Sequence, residues 1–179
     1  MAYVGLAEPI IARYHNGTYS GGSRLGKAIR MEITPEYEDV SDYEDINNTD
    51  DSEIFAYADV SLGTDALQGN AEKVVFGHEQ LGDETICKDT DQAVYVGVGF
   101  RVREKILGTE RYVAMWLCKV KFKEEGEKHK TRESSIDYVT PEIKGKAYPD
   151  ENGQWKRKKI FHTQKEADSW LNQMAGIVE

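Results

Sequence analysis

Asp150-Glu151-Asn152-Gly153, lying between two stretches of strand character and followed by Thr163-Gln164-Lys165-Glu166, decides how this chain folds. Asn and Gly both tolerate positive φ, so Asn152-Gly153 predicts a tight β-hairpin between the strand before it and the strand after it. Thr163 then opens a helix: its hydroxyl can accept from the Glu166 amide, and the Glu166 carboxylate can reach back to the Thr163 amide. Ala167, Trp170, Leu171 and Met174 follow at i, i+3, i+4 and i+7 and make one apolar face. The expectation is a hairpin with a helix packed on it.

Upstream, Val94, Val96, Val98, Phe100 and Val102 alternate as the apolar face of a strand. Gly97 and Gly99 on its other face leave room for close approach by another backbone or a helix. After Gly108 the even residues Tyr112, Ala114, Trp116, Cys118, Val120 and Phe122 are apolar throughout. The odd ones are apolar to Leu117 and then become Lys119, Lys121 and Lys123. Such a strand leaves a two-sided interior and emerges with one wet face.

Further out, Pro9–Tyr14 reads as a strand ended by Asn16-Gly17, and Tyr19–Arg24 as a Gly/Ser-rich loop. Leu25–Tyr37 reads as a half-buried strand with Leu25, Ile29, Met31 and Ile33 inward, and Ile54–Leu62 as another with Ile54, Ala56, Ala58, Val60 and Leu62 on one face. Thr64 can cap a short helix bearing Leu67, Ala71, Val74 and Val75, which Gly77 ends. Gly77–Gln92 reads as irregular, and Ile136–Val139 and Ile143–Tyr148 as strands. Because strands do not alternate with helices, the fold class is mainly β. We expect an antiparallel β-sandwich or open barrel of about seven to eight strands, with one short internal helix and a C-terminal helix.

The chain has 179 residues, a length that suits one domain spanning 1–179, with an N-terminal arm at 1–8. Net charge is −9, which opposes tight wrapping of nucleic acid. Met1–Ile11 lacks the basic region of a signal peptide, and no stretch is long and apolar enough to span a bilayer. Residues 36–53 hold nine acidic residues and no Lys or Arg. Self-repulsion predicts a flexible acidic loop there, whose Tyr37, Val40, Tyr43 and Ile46 could order against a partner.

Chemistry is hard to find. No Gly-x-Ser-x-Gly occurs, so no nucleophile elbow is expected. His15, His78, His129 and His162 read as solvated, and no pair has metal-binding spacing. Two separated cysteines, Cys87 and Cys118, predict neither a disulfide nor a zinc site, and Cys118 reads as a buried thiol. Asp39, Asp42 and Asp45 miss the calcium-loop spacing. Gly97-Val98-Gly99 lies inside a strand and not at a phosphate-binding turn. The expectation is therefore no catalytic, metal or cofactor residues. Lys119, Lys121 and Lys123, like Lys156–Lys159, read either as charged edges that block unwanted pairing or as a charge-complementary surface for the acidic loop of a neighbouring subunit.

Several blocks carry a family likeness. These are Val4-Gly5-Leu6 with Pro9-Ile10-Ile11-Ala12-Arg13-Tyr14; Gly26-Lys27-Ala28 before Ile33-Thr34-Pro35; Val60-Ser61-Leu62-Gly63; and Phe76-Gly77-His78. Tyr95-Val96-Gly97-Val98-Gly99-Phe100 and Ala114-Met115-Trp116-Leu117-Cys118-Lys119-Val120-Lys121-Phe122 are the most specific. Thr140-Pro141-Glu142-Ile143-Lys144-Gly145, Asp150–Trp155 and Ala167…Trp170-Leu171 close the series. Together they resemble the major tail protein, or tail tube protein, of long-tailed bacteriophages of Gram-positive bacteria. The likeness spans nearly the whole chain.

That resemblance implies a structural virion protein, not an enzyme. Subunits close into hexameric rings, and rings stack into the tail tube through which DNA is ejected without specific binding. It implies other copies of the chain, the tape measure, the tail terminator and the distal tail protein as partners, and no membrane. The location is the virion tail, reached from the host cytoplasm during assembly. It places the ring-stacking interface on the early loop, with Tyr37, Asp39, Asp42, Tyr43, Glu44, Asp45, Asp50 and Asp51. Competing expectations are a non-tubular tail-completion or connector protein on the same scaffold, and a small-ligand-binding β-barrel or hydrolase with a polar pocket.

Overall fold

Two long strands joined by a tight turn organise the molecule. The computed structural model describes residues 2–7, 9–40, 52–65, 69–126 and 142–177. Strand β8 (Val96–Ile106) turns through Leu107 and Gly108, at φ +48° and +84°, into β9 (Thr109–Lys123). Positive φ at both turn residues matches the twist of a two-residue hairpin. Each long strand then offers its outer edge to two consecutive strands. On β8, β2 (Ile10–His15) pairs with Val96–Gly99 and β1 (Ala2–Leu6) with Val102–Lys105. On β9, β10 (Glu142–Tyr148) pairs with Lys119–Lys123 and β11 (Lys156–Phe161) with Tyr112–Leu117.

Around this centre the sheet runs β3-β2-β8-β9-β10-β5-β4, where β3 is Thr18–Arg24, β4 Ala28–Val40 and β5 Ser52–Thr64. Helix α1 (Gly69–Phe76) follows β5, and a small separate hairpin, β6 (Glu79–Leu81) with β7 (Glu84–Ile86), precedes β8. Helix α2 (Gln164–Met174) ends the fold. Every strand pairing among the described residues is antiparallel, and the sheet is not a closed barrel. Among the described residues the molecule is mainly β with two helices, consistent with a β-sandwich carrying a C-terminal helix. Eleven strands are present among the described residues, against the seven to eight expected.

The sheet buries both faces. One face, with Val60, Leu62, Val98, Leu117, Val120, Phe122 and Ile143, packs under α1 through Ala71, Val75 and Phe76. The other, with Ile10, Ala12, Ala114, Trp116 and Cys118, packs under α2 through Ala167, Leu171 and Ala175. The α2 N-terminus forms as its residues require: Glu166 N donates to Thr163 Oγ1 at 3.3 Å, and Thr163 N donates to Glu166 Oε2 at 3.2 Å. Gly97 and Gly99 bring the sheet against Trp116. A Cβ on Gly97 would lie 2.4 Å from the indole and 2.5 Å from Tyr19 Cε1.

Bulges change which residues face inward. Val96 and Val98 of β8 oppose Val120 and Leu117 of β9, so β9 holds an extra residue at Cys118–Lys119. The bulge reverses the alternation. Trp116 and Cys118 face α2, whereas Val120 and Phe122 face α1; the even residues do not share one face. In β4 an extra residue between Ala28 and Arg30 turns Ile29 outward, 58% exposed, where an inward position is expected. In β5 an extra residue between Phe55 and Tyr57 does the same to Ile54, 53% exposed, while Phe55 packs on the core.

Other expectations are corrected too. β10 and β11 do not form a hairpin: both run antiparallel to β9, along the same edge, and the Asp150–Gly153 turn is an excursion between them. Asp150 Oδ1 accepts from the Asn152 and Gln154 amides at 2.9 and 2.8 Å and holds that excursion closed. Thr18–Arg24 is a strand and not a loop, because β2 supplies its hydrogen bonds. Thr64 ends β5 and is buried, so it does not cap α1, which starts at Gly69. Within residues 77–92 a short hairpin replaces part of the irregular connection. Leu67, His129 and Ile136–Val139 lie outside the described residues.

Candidate self-association surface

The surface expected to meet a neighbour begins on β4. Its strand character continues through Glu36–Val40, which pairs with Ser52–Tyr57, so residues 36–40 and 52–53 are strand where a flexible loop is expected. The two strands supply each other's backbone hydrogen bonds, and this outweighs charge repulsion at those positions. Tyr37 and Asp39 are exposed on β4. Asp42, Tyr43, Glu44, Asp45, Asp50 and Asp51, like Val40's side chain and Ile46, lie outside the described residues.

β10 pairs with β5 only from Ala58 to Gly63. Among the described residues, 36–40 and 52–57 therefore continue beyond β10 as a two-stranded ribbon. Phe55 anchors its base by stacking on Trp155, centroids 4.6 Å apart and planes 15° apart. Tyr37 meets Phe55 edge-on at 6.0 Å yet stays 55% exposed. A two-stranded ribbon is marginal by itself in water. This one carries Tyr37 and Ile54 uncovered near its end. Its outer strand β4, like β3 at the opposite end, bonds a neighbour along one edge only among the described residues.

Register builds a second surface. Lys121 lies directly opposite Lys146, and Lys123 opposite Lys144. Opposed like charges destabilise a strand pair, so this grid of four lysines needs compensating anions. Asp59, on β5 opposite Lys146, is one. Lys146 Nζ lies 3.7 Å from the centroid of the Tyr57 ring, and the Tyr57 side chain holds its pKa above the ordinary value. Lys119 is less available: it is half-buried, 3.4 Å from Glu151 Oε1, and sits over the rings of Tyr14 and Tyr95 at 5.4 and 5.0 Å. Tyr95 also carries Lys121, 5.3 Å away. Lys123 is exposed.

Lys119, Lys121 and Lys123 are thus brought onto one face after the β9 bulge, as expected, and Lys121 and Lys123 are joined there by Lys146 and Lys144. Lys144 and Lys146 were missed because they sit on a separate strand, twenty or more residues away, and only the pairing register brings them across. Lys156–Lys159 of β11 lie on the other part of β9 and are exposed. Of the histidines, His15 and His162 are exposed, as read from sequence, but His78 is buried at 6% exposure because Gly77 turns the chain inward beside Phe76. Cys118 is buried as expected, and burial pushes its thiol up to about 11.

No family model matches the chain, and no curated protein matches it either.

Proposed function

We propose that this chain is a self-assembling structural protein, a phage major tail protein whose copies form stacked hexameric rings and so the tail tube for DNA ejection. The observation that carries this reading is the β4–β5 ribbon, which runs past the sheet with Tyr37 and Ile54 uncovered. Its physical requirement is a partner that covers the ribbon. The chain also holds two groups of opposite charge: a sequence segment, 36–53, with nine acidic residues, and a lysine grid on β9 and β10. A surface that fits a different surface on an identical copy makes a head-to-tail contact, which generates rings and tubes. Among the described residues β3 and β4 each pair along one edge, which suits closure by strand pairing between copies. On this reading Tyr37, Asp39, Asp42, Tyr43, Glu44, Asp45, Asp50 and Asp51 stack against the next ring, with Lys119, Lys121 and Lys123 among the receiving charges. Residues 1–179 act as one tail-tube domain.

The reading places the chain in the virion tail, after assembly in the host cytoplasm, with the tape measure, terminator and distal tail proteins as further partners. Excess negative charge suits a conduit that must not hold DNA. Sedimentation velocity over rising protein concentration tests it. The wild-type chain shifts to large species, and Ile54→Lys, a change at an exposed position, stays small with unchanged circular dichroism. Equal sedimentation of the two at every concentration contradicts a ribbon-mediated contact.

A further inference from the structure

The chain leaves α1 at Gly77, whose φ of +80° lets the backbone pass close to the Gln92 carbonyl. That turn delivers His78 to the interior, with its ring 5.6 Å from that of Phe76. His78 Nδ1 lies 2.9 Å from Asp91 Oδ2, and the Lys88 amide donates to the same oxygen at 2.8 Å. An ionised carboxylate only accepts, so Nδ1 carries a proton and, in the neutral ring, Nε2 presents a lone pair. Nε2 is buried and makes no hydrogen bond. It faces Glu124 Oε2 at 3.4 Å. Two acceptors that face each other repel unless a proton or a cation sits between them. Cys87 Sγ completes the group: one ligand atom from each of His78, Cys87 and Glu124 lies within 4.8 Å of the others.

We propose that His78, Cys87 and Glu124 bind a divalent transition-metal ion of the zinc class. Imidazole nitrogen, thiolate and carboxylate are donors that zinc accepts. Asp91 is the outer carboxylate that fixes the ring orientation and turns Nε2 toward the ion. Tetrahedral bonds of about 2.0–2.3 Å set ligand atoms roughly 3.3–3.6 Å apart, so the trio closes by about 1 Å. Cys87 and Glu124, both exposed and on connecting segments, can move that far toward the fixed His78. The site opens on a cleft of about 690 Å³ that also receives Lys88, Lys121 and Lys123. Their charge opposes an incoming cation, whereas one thiolate and one carboxylate neutralise it. The ion ties the connection after α1 to the far end of β9, next to the lysine grid. This structural role is independent of whether the chain polymerises.

The test is a titration of the metal-stripped full chain with Co²⁺, followed by absorbance. The expected result is a thiolate-to-cobalt charge-transfer band with tetrahedral d–d bands, saturating at a single ion per chain and displaced by Zn²⁺. Cys87→Ser abolishes the charge-transfer band, and Cys118→Ala keeps it. Asp91→Asn weakens binding by about 10–100-fold while leaving the band's shape, as expected for a positioning residue. Circular dichroism of each variant confirms the fold, and zinc raises the melting temperature of wild type but not of Cys87→Ser. A folded wild-type chain without the charge-transfer band overturns the proposal. So does a band that survives in Cys87→Ser, or equal zinc stabilisation of both chains. A proton bridging His78 and Glu124 instead of a metal produces the first of these outcomes.

Discussion

Trp116 is fully buried because Gly97 and Gly99 stand opposite it, where any side chain would collide with the indole. Gly97→Ala therefore lowers stability by about 1–3 kcal/mol, read as a lower urea midpoint with an unchanged slope. The need for space at these two glycines was legible in the sequence, since they interrupt the strand on its far face. The role of His78 was not: a polar context reads as solvent, and only the Gly77 turn puts the ring inside. At the α2 cap, the hydrogen bond from Thr163 holds the Glu166 carboxyl below its ordinary value of 4.5. A depressed folded pKa stabilises above the unfolded value, and the contribution is lost as pH falls below about 4.5. Thr163→Ala should thus narrow the stability difference between pH 7 and pH 3, measured by thermal melting at both.

The elements themselves separate what sequence pattern reveals from what it hides. The β8–β9 hairpin and α2 follow from alternation and capping chemistry, which are local. The β10–β11 junction does not. Asn152-Gly153 signals a turn, but which edge the following strand joins is decided by β9, fifteen residues long and able to seat both strands in series. Of that pair only Gly153 has positive φ, +75°. Asn152→Ala should therefore change stability by less than about 0.5 kcal/mol. Asp150→Ala, which removes the acceptor of two amides, should cost about 1–2 kcal/mol. Chemical denaturation of the two variants checks this, and the opposite ranking would fit a two-residue hairpin. Bulges in β4, β5 and β9 explain the remaining errors of face, at Ile29, Ile54 and Phe122. One inserted residue reverses every side chain beyond it, and nothing in the alternation announces the insertion.

For the whole molecule, the acidic segment and the first lysines of the grid were readable as charge runs. The lysine grid and the protruding ribbon exist only once register and strand length are set. If the grid receives acids from a neighbouring copy, assembly weakens as salt rises, because exposed charges are screened over about 10 Å at 0.1 M ionic strength. The double variant Lys121→Glu/Lys144→Glu should abolish large species in sedimentation while each subunit stays folded. The most direct measurement is negative-stain electron microscopy of the purified chain at rising concentration. Rings and tubes of uniform bore are the predicted result; single particles at every concentration and salt condition would contradict the claim that this chain is built to surround a channel with its own copies.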